Sequence, residues 1–93
     1  MIKKPKHPGK IFKEEILQQL NLNIAEAASM LGVNRKALYK FVNEETSLSP
    51  QMALRVGKAT KTDPEIWMNM QIKLSLWNAR KREPKNVKEF PLK

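Results

Sequence analysis

Between positions 34 and 43 the chain reads NRKALYKFVN, and six of those ten side chains suit phosphate and base recognition. Arg35, Lys36 and Lys40 carry the positive charge that neutralises phosphates and releases their counterions. Arginine can also grip guanine O6 and N7 together, and Asn34 or Asn43 can do the same to adenine. Tyr39 can donate to a phosphate or pack on a thymine methyl, and Ser47, with Thr46 and Ser49 beside it, adds loop hydroxyls for the sugar-phosphate backbone. On a helix, Leu38 and Phe41 turn to the core and leave Arg35, Lys36, Tyr39, Lys40 and Asn43 facing out. The plainer reading of the same pattern is a solvated basic face. The elements around it decide between the two.

A helix-turn-helix needs a small residue where its helices press together, one tolerant of positive φ at the corner, and apolar inner faces. Residues 24–43 meet all three demands. Ala28 is the small residue, Gly32 the corner, and Ala27, Leu31, Val33, Leu38 and Phe41 the inner faces. Asn23 caps the first helix of the pair, from Ile24 to about Leu31, with Glu26 placed to reach back as in a capping box. Asn34 caps the second, to about Val42, whose free N–H groups suit a phosphate. The coincidence favours a corner that presents a basic helix to the major groove.

The rest of the chain reads as three more helices with short links, giving an all-α, five-helix fold in a single domain, residues 1–93. Residues 1–7, with Lys3, Lys4, Lys6 and His7, are expected to form a flexible basic arm. Pro8 starts helix one, where Ile11, Phe12, Ile16, Leu17 and Leu20 recur at helical spacing. A polar connector, NEETSLS, precedes helix four, which Ser49 caps and Pro50 opens. Asp63 and Pro64 do the same for helix five, and residues 83–93 form an irregular basic tail.

Bulk composition agrees with a polyanion partner. Eighteen Lys and Arg against nine Asp and Glu leave +9 on 93 residues. There is no cysteine, no apolar run of membrane-spanning length and no leader-like pattern behind MIKKPKHPGK, so a reduced, cytoplasmic setting is expected, with no membrane partner. An enzyme is not expected. His7 is the only histidine, Glu14 and Glu15 point about 100° apart on a helix, and the three glycines are too scattered to cradle phosphate. Nothing calls for a cofactor, and one His without Cys makes no usual zinc site.

Helix five carries more apolar surface than one face can bury. Trp67, Met70, Leu74 and Trp77 form a stripe at spacings of three, four and three, read here as the interface of a two-fold homodimer. The competing reading places both tryptophans in the core. A two-fold dimer would set its recognition helices about 34 Å apart, one turn of DNA, and so select a palindromic site.

HPGKIFKEEILQQLNL, IAEAASMLGVNRKALYKFVN, LSPQMALRVGKAT and DPEIWMNMQIKLSLW, covering residues 7 to about 80, together resemble the HigA/VapI antitoxins. These are Xre-type helix-turn-helix proteins, so the resemblance implies a lambda-repressor-like fold. The specific combination is HPG before helix one, SPxMALR on helix four and a tryptophan-bearing helix five. The resemblance implies an antitoxin that neutralises a HigB-like ribonuclease toxin and, as a dimer, binds a palindromic operator to repress its own operon. Two positions depart from the pattern: Ile24 stands where relatives often carry a polar residue such as Gln, and Glu44-Glu45 follow the recognition helix where relatives carry Gly and basic residues. Those departures leave two alternatives beside the main reading: an Xre-type regulator without a toxin, and a protein-interaction antitoxin that no longer binds DNA.

Overall fold

The computed structural model describes residues 3–92, so Met1 and Ile2 of the arm and Lys93 of the tail lie outside the described residues. Helix α1 is one continuous rod in three stretches: α-helical Pro8–Phe12, a π turn over Lys13–Leu17 and α-helical Gln18–Leu20. It closes on Asn21 in the left-handed conformation, and the Leu22 N–H donates to Leu17 O at 2.9 Å. Helices α2 (Ile24–Leu31), α3 (Arg35–Val42), α4 (Pro50–Thr60) and α5 (Pro64–Ala79) follow, and a 3₁₀ turn over Arg80–Arg82 ends the last. This is the expected all-α, five-helix architecture, with no strand among the described residues.

Local chemistry sets the helix boundaries. Asn23 and Glu26 form the capping box, with Glu26 N–H donating to Asn23 Oδ1 at 2.8 Å and Asn23 N–H to Glu26 Oε1 at 3.1 Å. Gly32 sits at φ 73°, a conformation costly for any residue with a Cβ, and turns the chain from α2 into α3. Arg55 on α4 donates to the Leu31 carbonyl at 2.9 Å and so completes the C-terminus of α2.

All five helices close on one core. Leu38, Phe41 and Val56 are its most enclosed large side chains, and Phe12 and Trp67 meet edge-on with centroids 6.0 Å apart. The start of α1 lies so close to the end of α3 that a Cβ at Gly9 would collide with the Phe41 carbonyl oxygen. The tail, residues 83–92, is exposed along its whole length. It contributes to a radius of gyration of 16.1 Å, against about 12 Å for a compact chain of this length.

Two expectations are corrected. His7 is not part of a mobile arm. It is buried as the N-cap of α1, because its ring packs on Phe41 and both its nitrogens are engaged. Trp67 and Leu74 are not free to form a dimer interface. They are 4% and 5% exposed, and with Gln71 they form the inner face of α5. Trp67 is further tied inward by donating from Nε1 to Thr62 Oγ1 at 2.7 Å. Of the four residues assigned to a dimer interface, only Met70 and Trp77 remain partly accessible, while Ile66, Ile72 and Leu76 stand exposed on the outer side.

Candidate nucleic-acid interface

Helix α3 is amphipathic in the sense its sequence requires. Leu38, Phe41 and Val42 are buried; Arg35, Lys36, Tyr39 and Asn43 are exposed and Lys40 half-buried. The outward residues fall into two rows. Lys36 and Lys40, one turn apart, border a hollow whose other lining includes Asn34, Thr46, Ser47 and Ser49. Arg35 and Tyr39, also one turn apart, lie along the neighbouring flank and do not line that hollow. Asn34 and Ser49 cap α3 and α4, so the N-termini of two helices open beside one basic concavity.

The two asparagines have structural duties. Asn34 Oδ1 accepts from Ala37 N–H at 2.7 Å, and Asn43 Nδ2 donates to the Tyr39 carbonyl at 3.0 Å. A bidentate grip on adenine uses both amide atoms of one side chain. As placed here, each asparagine has one of those atoms engaged by its own helix.

The loop between α3 and α4 is held from behind at two points that flank Ser47. His7 Nδ1 accepts from Gly9 N–H at 2.9 Å, which leaves the ring proton on Nε2 to donate to Thr46 O, also at 2.9 Å. On the other side, Gln71 Oε1 accepts from Leu48 N–H at 2.8 Å, while its Nε2 donates to Ser75 Oγ at 3.0 Å. Both side chains are buried, and Leu48 beside Ser47 is a core residue. Thus α1 and α5 together fix the height of Thr46 and Ser47 relative to α3. Sequence reasoning missed both supports. The available signals were a histidine immediately before Pro8-Gly9, an N-cap position, and a lone amide on the stripe between Trp67 and Leu74.

The departures from the family pattern also have places. Ile24 packs, half-buried, against the core at the start of α2 and offers no polar group. Glu44 adopts φ 64° and lines a different hollow, shared with Lys4, Lys6, Lys10 and Asn78, on the side of the arm and α5. That placement puts Glu44 in a hollow that lysines also line and outside the concavity bordered by Lys36 and Ser47.

The helix-turn-helix family model matches residues 13–67, from the π turn of α1 into the first turn of α5. An HTH-type transcriptional regulator of Haemophilus influenzae is 36% identical over 78 residues, spanning 84% of this chain and 73% of the regulator. Virulence-associated protein A′ of Dichelobacter nodosus is 42% identical over 76 residues, 81% of this chain and 65% of that protein. Among solved structures, the Pseudomonas aeruginosa antitoxin HigA with higBA promoter superposes with a TM-score of 0.80 at 34% identity, covering 83% of this chain and 84% of the antitoxin. The chain belongs to the HigA/VapI family of helix-turn-helix antitoxins and regulators. The matched region contains the whole HigA-type α2–α3 corner, the loop with Thr46 and Ser47, and α4. Gln71 and the exposed outer residues Ile72 and Leu76 fall beyond it.

Proposed function

We propose that this HigA-type chain is an antitoxin and autorepressor that binds a palindromic operator as a homodimer and neutralises a ribonuclease toxin. The observation that carries the DNA-binding half is the exposed cationic face of α3 beside a loop fixed by His7 and Gln71. Arg35 reads a base edge, with Tyr39 beside it on the same flank. Lys36, Lys40 and Ser47 grip the backbone, and Asn34 and Asn43 hold the helix ends and contact phosphate through their remaining amide atoms. The overall charge of +9 adds sequence-independent attraction. The dimer forms through the outer side of α5, where Ile66, Ile72 and Leu76 are exposed and Met70 and Trp77 half-covered. The likeness to HigA supports the toxin-neutralising half.

Two experiments test the halves separately. In mobility-shift titrations on the DNA upstream of its own gene, Arg35→Ala loses operator preference by about 1–3 kcal/mol, whereas Lys36→Ala weakens binding to every sequence and lowers the salt slope by about 1. Equal losses for Arg35→Ala on operator and random DNA would refute its role as a base reader. Co-expression with the adjacent reading frame, followed by purification through one partner, tests the antitoxin half. Failure of the two products to copurify leaves a regulator without a toxin.

A further inference from the structure

The basic residues ahead of α1 are rooted at the loop that faces DNA. The His7 ring donates from Nε2 to Thr46 O at 2.9 Å, and Thr46 lines the concavity bordered by Lys36 and Lys40. Residues 3–6 therefore leave the body of the protein beside one wall of that concavity. Their course is restricted at the root. His7 is extended, at φ −66° and ψ 134°, as the residue before Pro8 must be, and Pro5 disfavours helix at Lys4 in the same way. Helix α1 thus cannot grow back through the arm. Pro5 is half-buried, whereas Lys3, Lys4 and Lys6 are exposed.

Charge on this side of the loop is unbalanced. Lys4, Lys6 and Lys10 line one hollow, and Glu44 is the one carboxylate among the described residues that line it. Such an excess suits a polyanion, and geometry names which one. Phosphates of one DNA strand recur about every 3.4 Å along the helix axis. Four extended residues span at most about 13–14 Å, the rise of about four phosphates. A strand held by Lys36, Lys40 and Ser47 that leaves the concavity over Thr46 passes within reach of the arm. An acidic protein surface would also attract these lysines, but contiguity with the concavity favours phosphate. The plain alternative is a solvated arm that touches nothing.

We propose that Lys3, Lys4 and Lys6 form a second DNA contact, gripping the phosphates that flank each half-site on the Thr46 side of the recognition helix. This contact rests on the reading of α3 given above and extends its footprint without adding base specificity. Removing the three charges together, as Lys3→Gln, Lys4→Gln and Lys6→Gln, lowers the slope of log K against log salt by about 2 to 3, close to 0.9 for each phosphate released. Affinity for operator and random DNA falls by the same factor, so operator preference is kept. Glu44→Gln acts in the opposite sense and tightens both by roughly 1.5- to 5-fold, the worth of one exposed charge pair. Because the chain has no cysteine, Lys4→Cys carries a single iron–EDTA probe that cuts nearby DNA. Cuts are expected at one flank outside each half-site of the operator. An unchanged slope with diffuse cutting, while Arg35→Ala still costs operator preference, overturns the arm contact and leaves α3 as the reader. A lowered slope without localised cuts reflects bulk charge alone and also overturns it. A triple variant that binds DNA as wild type does but no longer copurifies with the product of the adjacent frame assigns the lysines to a protein partner instead. A wild-type chain that binds no DNA overturns both the arm contact and the reading it rests on.

Discussion

Replacing His7 by asparagine separates the two bonds this side chain makes. Asparagine is a good N-cap, so the cap on Gly9 N–H is retained. Its amide is too short to reach the Thr46 carbonyl as well, and the ring contact with Phe41, centroids 5.9 Å apart, is lost. Leaving a part-buried carbonyl without its donor costs about 1–3 kcal/mol. For a domain of this size each kcal/mol moves the melting temperature by about 4–8 °C. A cost of about 2 kcal/mol therefore lowers Tm by roughly 8–16 °C. His7→Ala also loses the cap and falls by about another 1 kcal/mol. Thermal unfolding followed by helical circular dichroism reads both. In the cold, where both variants remain folded, release of the loop bearing Thr46 and Ser47 should also weaken DNA binding. Re-ordering two side chains at about 0.5–1.5 kcal/mol each corresponds to roughly a 5- to 150-fold loss. A His7→Asn protein with unchanged Tm and unchanged affinity refutes the claim that α1 supports the loop.

Three further outcomes are expected. Gln71→Met keeps the volume but orphans the buried Leu48 N–H, so it lowers stability by about 1–3 kcal/mol in urea unfolding and weakens DNA binding in parallel with His7→Asn. Gly9→Ala drives a methyl into the Phe41 carbonyl and costs more than about 3 kcal/mol, read as loss of cooperative unfolding or of soluble yield. Leu76→Glu, at an exposed position on α5, leaves monomer stability within about 0.5 kcal/mol but abolishes self-association in analytical ultracentrifugation. A Leu76→Glu protein that dimerises as before removes the outer side of α5 from the interface.

The α2–α3 corner was legible because its determinants are local. The Asn23–Glu26 box, Gly32 at positive φ and the Asn34 cap act within a few residues of themselves, and each took its expected place. His7 was hidden by its neighbours: in KKPKH it reads as one more polar residue of a basic arm, and its partner Thr46 lies 39 residues away. Gln71 reaches across 23 residues to Leu48, a pairing that no local pattern encodes. Helix α5 defeated periodicity for another reason. It is apolar around most of its circumference, so its periodicity does not show which tryptophan goes inward. Packing against Phe12 selects Trp67 and leaves Trp77 on the flank. The π turn in α1 likewise lacks a local marker, since KEEIL would serve an ordinary α-helix.

The central claim is that α3 and the loop behind it form the surface that meets DNA. Titrating isotope-labelled protein with the duplex upstream of its own gene, and following backbone amide resonances, tests this most directly. The account predicts the largest shifts at residues 34–40 and at Thr46 and Ser47, with buried Val56 and Ala53 nearly still. Shifts confined to α1 and α5, with Arg35, Lys36 and Tyr39 unmoved, would contradict it.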